Sequence, residues 1–218
     1  LIALWTVGRI LWDSGVVRVY GGTGSGQLVV HYIPPAIFGA VLLGYALRRV
    51  GGTWRDLGVY KASGPREMGV WALFSYLGLA LAIPILFVAG WLSSTIFSTQ
   101  PEDVEPLLPL VWDTFGEGRG WVLFAVAAGV APLIEELLFR GFLFGVLREN
   151  LGPVKANIAQ AMTFAFLHCA PSKFLVLFAL GTVLGMLRER TGSISSSILL
   201  HAIWNGGTLM FFAFLFGA

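Results

Sequence analysis

The sequence predicts an all-α fold, a polytopic transmembrane bundle of about six to eight helices forming a single membrane domain over residues 1–218. Three observations lead there. The chain is 56% hydrophobic and only 12% charged, about half the charged fraction of an ordinary soluble domain. Several apolar runs reach about 18 residues or more, the length that crosses a bilayer as a helix. Those runs are continuous rather than alternating with period two, which argues against a membrane β-barrel. The balance of 14 Lys and Arg against 12 Asp and Glu leaves a net charge of +2. With no long basic run, nucleic acid is excluded as a partner, and membrane lipids are the expected surroundings. Cys169 is the one cysteine, so no intrachain disulfide can form. The first residue is Leu1 rather than Met, and a trimmed leading segment is expected before it.

Residues 1–18 are apolar but broken by Arg9, Asp13 and Arg18, as at the tail of a first span or in a helix lying at the interface. The glycine-rich stretch 20–26 reads as a linker, since no Lys-Ser/Thr follows it to make a phosphate loop. A span over residues 27–47 should kink at Pro34-Pro35, and another over 70–97 at Pro84. Tyr32 and the tryptophans read as interfacial belts. A long helix is expected over 121–148, with Pro132 one turn before two adjacent glutamates. Shorter apolar segments at 156–169 and 174–187 suggest buried pieces or a partial hairpin, and a last span covers 194–216. The loops at 48–68, 148–155 and 188–192 are basic, whereas 98–119 is acidic. The positive-inside rule then sets the basic loops on the cytoplasmic side, and the crossings between them alternate consistently.

Several polar groups sit inside apolar segments, where they are costly. Glu136 and Arg140 are four residues apart and share a helical face, so they should pair. Glu135 points roughly 100° away from Glu136 and has no local cation. His168 ends Phe164-Ala-Phe-Leu-His168, and His201 and Asn205 are four apart in His201-Ala-Ile-Trp-Asn205. With the basic loops on one side, Glu135, His168 and His201 fall at depths agreeing within about 5–10 Å at 1.5 Å per residue. A lone intramembrane histidine is often just an interhelical hydrogen-bond partner. The Glu136–Arg140 pair, which neutralises itself, reads as structural, and Cys169 beside His168 reads as packing. Four separate polar groups converging on one depth are less easily explained that way.

A carboxylate with imidazoles in a water-poor pocket suits general-base activation of water, and amide or imidazole N–H donors suit an oxyanion. Glu135 would activate water with help from His168, and His201 with Asn205 would stabilise the tetrahedral intermediate. The reaction would be amide hydrolysis without a covalent intermediate.

Taken together, Glu135-Glu136-x-x-x-Arg140, Phe164-x-x-x-His168 and His201-x-x-x-Asn205 resemble the motifs of the CPBP/Abi family, in the family's order, over about residues 120–210. That family contains the type II CAAX prenyl endopeptidases and bacteriocin-processing or self-immunity proteins. The resemblance implies an eight-helix-type intramembrane protease core over about 120–210. It makes Glu135 the base, His168 its partner, and His201 with Asn205 the oxyanion side, with Glu136, Arg140 and Phe164 in support. It also implies a multi-pass protein of a prokaryotic inner membrane. The substrate would be a peptide or protein with a membrane-proximal C-terminal tail, whether lipidated or not.

Metal stays open at this point. Glu135, His168 and His201 could form a two-histidine, one-carboxylate zinc site, and family members have been called metalloproteases on that basis. The helix lacks His-Glu-x-x-His, however, so the metal-free glutamate mechanism is preferred. No Gly-x-Gly-Asp and no Gly-x-Ser-Gly is present, which argues against the presenilin and rhomboid types. Two alternatives belong to other classes: a proton-coupled transporter using Glu135 and the histidines as a relay, and a non-catalytic membrane partner or immunity protein.

Overall fold

The uninterrupted apolar stretch that begins near residue 120 does form one long helical run, but its backbone is not uniform. In the computed structural model, residues 120–168 and 173–215 are described without gaps, together with residues 51–59 and single positions between 39 and 49 and between 69 and 95. The expectations for residues 1–38, Pro84, the acidic loop 98–119, Cys169 and Pro171 lie outside the described residues. All described regular structure is helical. The run divides into α1 (Gly120–Ala125), a π-helical segment (Val126–Val130), α2 (Ala131–Glu136), a second π segment (Leu137–Leu143) and α3 (Phe144–Leu151). After it come α4 (Pro153–Leu167), α5 (Phe174–Thr191) and α6 (Ser195–Leu215). Among the described residues one helix, Gly120–Leu151, is long and apolar enough to cross a membrane.

The chain divides into two units, Leu1–Ala46, Pro106–Ile134 and Ala202–Ala218 in the first, Leu47–Glu105 and Glu135–His201 in the second.

Proline explains the first π segment. Pro132 has no N–H, so a rung of the helical ladder is missing where it falls. The turn before it widens, and the Ala131 N–H reaches back five residues to the Val126 carbonyl. The second π segment closes the same way, with the Phe144 N–H on the Phe139 carbonyl. Gly141 lies within it, and a Cβ there would stand 3.2 Å from the Leu57 carbonyl oxygen. Wide turns of this kind occur mostly as single insertions in α-helices, often at functional sites. Here they bracket the two glutamates.

The breaks between the later helices are shorter than the charge pattern suggests. Only Gly152 separates α3 from α4, and Pro153 opens α4 at the position where a missing N–H costs nothing. Arg148 and Lys155, expected in a loop, are therefore both helical. Arg188 to Thr191 form the last turn of α5, which stops at Gly192 in the left-handed region (φ 70°) with its N–H on the Arg188 carbonyl. In the turn that follows, the Ser193 hydroxyl accepts from the Ser195 N–H and donates to the Gly58 carbonyl.

In the second unit α4 and α5 are antiparallel, since Ala161 lies against Gly181 while Asn157 lies against Gly185. The spacing Gly181-x-x-x-Gly185 removes side chains where the two backbones approach. A Cβ on Gly181 would lie 3.1 Å from the Ala161 Cα, and one on Gly185 only 1.9 Å from Asn157 Oδ1. The turn at residues 51–58 is closed by Asp56, which accepts from the Thr53 N–H at 2.6 Å and hydroxyl at 2.8 Å. Those bonds, the backbone one first, hold the Asp56 carboxyl below its usual range. Its last residues sit against site-bearing elements: Leu57 meets Gly141, and Gly58 lies under the Arg188 guanidinium.

Replacing Gly185 by Leu should force α4 and α5 apart and break the Asn157 bonds. Overpacking of this kind costs about 1–3 kcal/mol or more. A lower unfolding midpoint in detergent than for the wild type is the expected result; Gly145→Leu, at a position open around the glycine, should leave it nearly unchanged.

Candidate active site

The second unit brings Glu135, Glu136, Arg140, Phe164, His168 and His201 together, although they come from four separate elements. Glu136 and Arg140 are completely buried, and Arg140 Nη1 donates to Glu136 Oε1 at 2.8 Å. The same oxygen lies 2.8 Å from His201 Nδ1. A carboxylate can only accept here, so Nδ1 carries the hydrogen and the neutral ring keeps its lone pair on Nε2. Glu136 therefore does more than neutralise Arg140, since it also fixes the tautomer of a second helix's histidine.

His168 is fixed by a different device. It caps the C-terminus of α4, and its Nδ1 lies 2.7 Å from the Phe164 carbonyl one turn earlier. A carbonyl oxygen only accepts, so Nδ1 again donates and Nε2 is again left with its lone pair. Both free Nε2 atoms face one oxygen. Glu135 Oε2 stands 3.9 Å from His168 Nε2 and 3.7 Å from His201 Nε2. The Glu135 and His168 side chains are 28% and 31% exposed, against 3% for His201. Two acids adjacent in sequence thus occupy unlike surroundings, one sealed and charge-paired, the other open and facing lone pairs.

Phe164 is the platform beneath them. Its buried ring takes the Arg140 guanidinium on its face at 4.6 Å, an arrangement that attracts a cation to an aromatic. It also lies 4.5 Å from the His168 ring, 5.8 Å from the His201 ring and 5.1 Å from Phe139.

Behind this cluster runs a buried polar chain that sequence reasoning did not single out. Arg140 Nη2 donates to the Gly181 carbonyl at 3.1 Å, and Gln160 Nε2 donates to that same oxygen at 2.9 Å. Gln160 Nε2 also reaches Asn157 Oδ1 at 2.8 Å, and Asn157 Nδ2 reaches the Thr182 carbonyl at 3.0 Å. The signal was present: Asn157 and Gln160 lie on the α4 face that continues to Phe164 and His168, opposite the glycine pair of α5.

Asn205, the remaining candidate, is one turn beyond His201 on α6 and belongs to the first unit. There its Nδ2 donates to the Ala127 carbonyl at 2.9 Å. A carboxamide nitrogen has two hydrogens, so one remains.

The donor types of Glu135, His168 and His201 are those of a zinc site. Tetrahedral zinc with bonds of about 2.0–2.2 Å holds its ligand atoms roughly 3.3–3.5 Å apart. The observed 3.7 and 3.9 Å are somewhat wider. Among the described residues no group of three or more His, Cys, Asp or Glu side chains forms a metal-holding cluster.

Residues 117–207 match the family described as type II CAAX prenyl endopeptidase Rce1-like, which spans every candidate residue above. This match and the curated relative described next support the CPBP/CAAX protease family, a class of membrane peptidases. That relative is the protein of Bacillus subtilis (strain 168) named "Putative membrane peptidase YdiL", 24% identical over 141 residues, or 64% of this chain and 55% of that protein. The chain thus spans about half the length of the relative it matches. No solved structure matches.

The unlike surroundings of the two glutamates separate their mutational effects. Glu136→Gln leaves Arg140 buried without its counter-charge, which costs about 3–5 kcal/mol. Glu135→Gln, at a partly exposed and unpaired acid, should stay within about 0.5 kcal/mol of the wild type. Unfolding in detergent by heat or denaturant measures both.

Proposed function

We propose that this chain is a glutamate-dependent intramembrane endopeptidase, a multi-pass protein of the inner membrane that cleaves a membrane-proximal peptide or protein tail. One observation carries the reading: two imidazole Nε2 lone pairs face a single carboxylate oxygen, Glu135 Oε2, at 3.9 and 3.7 Å. A water held among such acceptors gives a proton to one of them as its oxygen attacks, which is general-base catalysis.

In this mechanism Glu135 takes the proton from water as the new C–O bond forms at the scissile carbonyl. His168, with its hydrogen committed to the Phe164 carbonyl, orients the water through Nε2. The tetrahedral oxyanion needs donors. His201 supplies one through Nε2 once that nitrogen carries a proton, its Nδ1 being held by Glu136. The second Asn205 hydrogen supplies another. Collapse of the intermediate breaks the C–N bond, and the proton on Glu135 passes to the leaving nitrogen. The base regains its charge and the two peptide products separate.

Glu135, His168 and His201 are also the residues that would hold a divalent cation, which when bound would acidify the water or polarise the carbonyl. The glutamate route is preferred here because the helix lacks His-Glu-x-x-His. The substrate's tail, prenylated or not, is a matter for the assay, as the candidate residues report on the scissile bond rather than on the tail.

In proteoliposomes given a peptide library, the wild type should cleave and Glu135→Gln should lose about 10²–10⁴ in rate, the usual worth of a general base. Chelator should leave wild-type cleavage unchanged. Loss of activity with chelator and its return with zinc would replace the glutamate mechanism by a metal one. Cleavage by Glu135→Gln at the wild-type rate would end the assignment. Asn205→Ala should cost about 10²–10³ in kcat, as expected for one oxyanion donor.

A further inference from the structure

The first unit contains a detail that ties a helix-breaking residue to the orientation of Asn205. In the π segment Val126–Val130, the Ala131 N–H bonds five residues back to the Val126 carbonyl. The next rung would run from residue 132 to the Ala127 carbonyl. Residue 132 is proline and has no hydrogen to give. That carbonyl is the one Asn205 Nδ2 meets at 2.9 Å, across 78 residues of sequence. Ala127 and Asn205 are both half-buried, and the Asn205 amide is the partner this carbonyl finds there.

We infer that Pro132 is a positioning residue for Asn205. By withholding its own N–H it reserves the Ala127 carbonyl as a fixed acceptor, and that acceptor sets the Asn205 amide. Two consequences follow from the chemistry. First, a carbonyl accepts only, so it selects Nδ2 rather than Oδ1 at that end and removes the ambiguity of a carboxamide that can turn over. Second, once one Nδ2 hydrogen is bound, planarity of the amide fixes the direction of the other. The donor proposed for the oxyanion is then preorganised before substrate arrives, the condition under which such a donor is most effective. The proline one turn before the glutamate pair thus acts as more than a kink. This inference rests on the oxyanion role proposed for Asn205, but the hydrogen bond it describes can be tested apart from that role.

The test is a double-mutant cycle of Pro132→Ala with Asn205→Ala in the full chain, reconstituted in proteoliposomes and read by both cleavage kinetics and thermal unfolding. Pro132→Ala restores a backbone donor for the Ala127 carbonyl and frees the Asn205 amide. A fall in kcat of about tenfold or more is expected, toward the 10²–10³ cost of losing an oxyanion donor, with KM within about twofold because substrate binding is untouched. Adding Asn205→Ala should then cost little more, since the two act through one bond. Losses that multiply, or wild-type kinetics in Pro132→Ala, would overturn the inference. A proline acting only as a structural kink would change the unfolding midpoint and leave the kcat of the folded protein alone. If the wild type cleaves nothing, the protease reading fails and the unfolding arm decides this one. Asn205→Ala should then lower the midpoint in the wild-type background but not in Pro132→Ala, and an equal drop in both would overturn it. Should Pro132→Ala give no folded protein, Pro132→Ser restores the same N–H and takes its place.

Discussion

One carboxylate oxygen, Glu136 Oε1, holds the arrangement together. It accepts from Arg140 and from His201, each at 2.8 Å, with no exposure to water. A buried ion pair gives little net stability, because desolvating both charges offsets most of their attraction. What such a pair gives is geometry, because either partner left alone is far costlier. Arg140 is held in turn by the Gly181 carbonyl of α5 and the Phe164 ring of α4. Two elements are thereby set against the helix that carries the glutamates, and a histidine on a third is turned so that Nε2 faces Glu135. In the proposed mechanism the neighbouring acid, Glu135, is left to react because Glu136 is not.

Backbone irregularity is the second constraint. A uniform α-helix over residues 120–151 would pair every internal N–H with its own carbonyls. Pro132 removes a donor, and at Gly141 the absence of a Cβ admits the Leu57 backbone. The Arg140 carbonyl, inside the second π segment, also accepts from Arg188 Nε at 3.3 Å, so this carbonyl too has a partner outside its own helix. The α2 stretch that carries Glu135 and Glu136 is thus an ordinary helical turn and a half between two wide turns, each with an identifiable contact.

Much of the site was legible because charge and amide groups in apolar sequence are self-announcing. Glu136 and Arg140 at a four-residue spacing had to pair, and Glu135, His168 and His201 at similar depth invited a common location. The helical character followed from uninterrupted apolar runs. Other features were hidden for physical reasons. A π turn differs from an α turn by one hydrogen-bond register and leaves no compositional trace beyond Pro132. The contact between Glu136 and His201 depends on how α6 is rotated, which a four-residue spacing within α6 does not reveal. Gln160 reads as a single polar residue in an apolar segment, and its importance emerges only when Gly181 brings α5 against it. The charge clusters at 148–155 and 188–192 suggested loops, whereas Gly152 alone separates α3 from α4 and residues 192–194 alone separate α5 from α6. The charges sit on the helix ends instead, where Arg148 and Glu189 meet at 2.6 Å.

The adjacency of the two glutamates has a chemical logic under the proposed mechanism. Residues next to each other on a helix point about 100° apart, so one acid can face inward to fixed donors while the next faces a pocket. Donors meet Glu136 at Oε1: a guanidinium and an imidazole N–H. Acceptors surround Glu135: two ring nitrogens whose hydrogens are already committed elsewhere. A base needs surroundings that do not satisfy it at rest, because hydrogen bonds to a carboxylate's charged form make it a weaker base. The commitments of His168 to Phe164 and of His201 to Glu136 keep both rings from donating to Glu135 in their neutral forms. The same commitments leave His201 able to become a donor at Nε2 only by gaining a proton. Base and oxyanion donor are in this way separated by tautomer as much as by position, and both separations begin with a pair of identical side chains placed side by side.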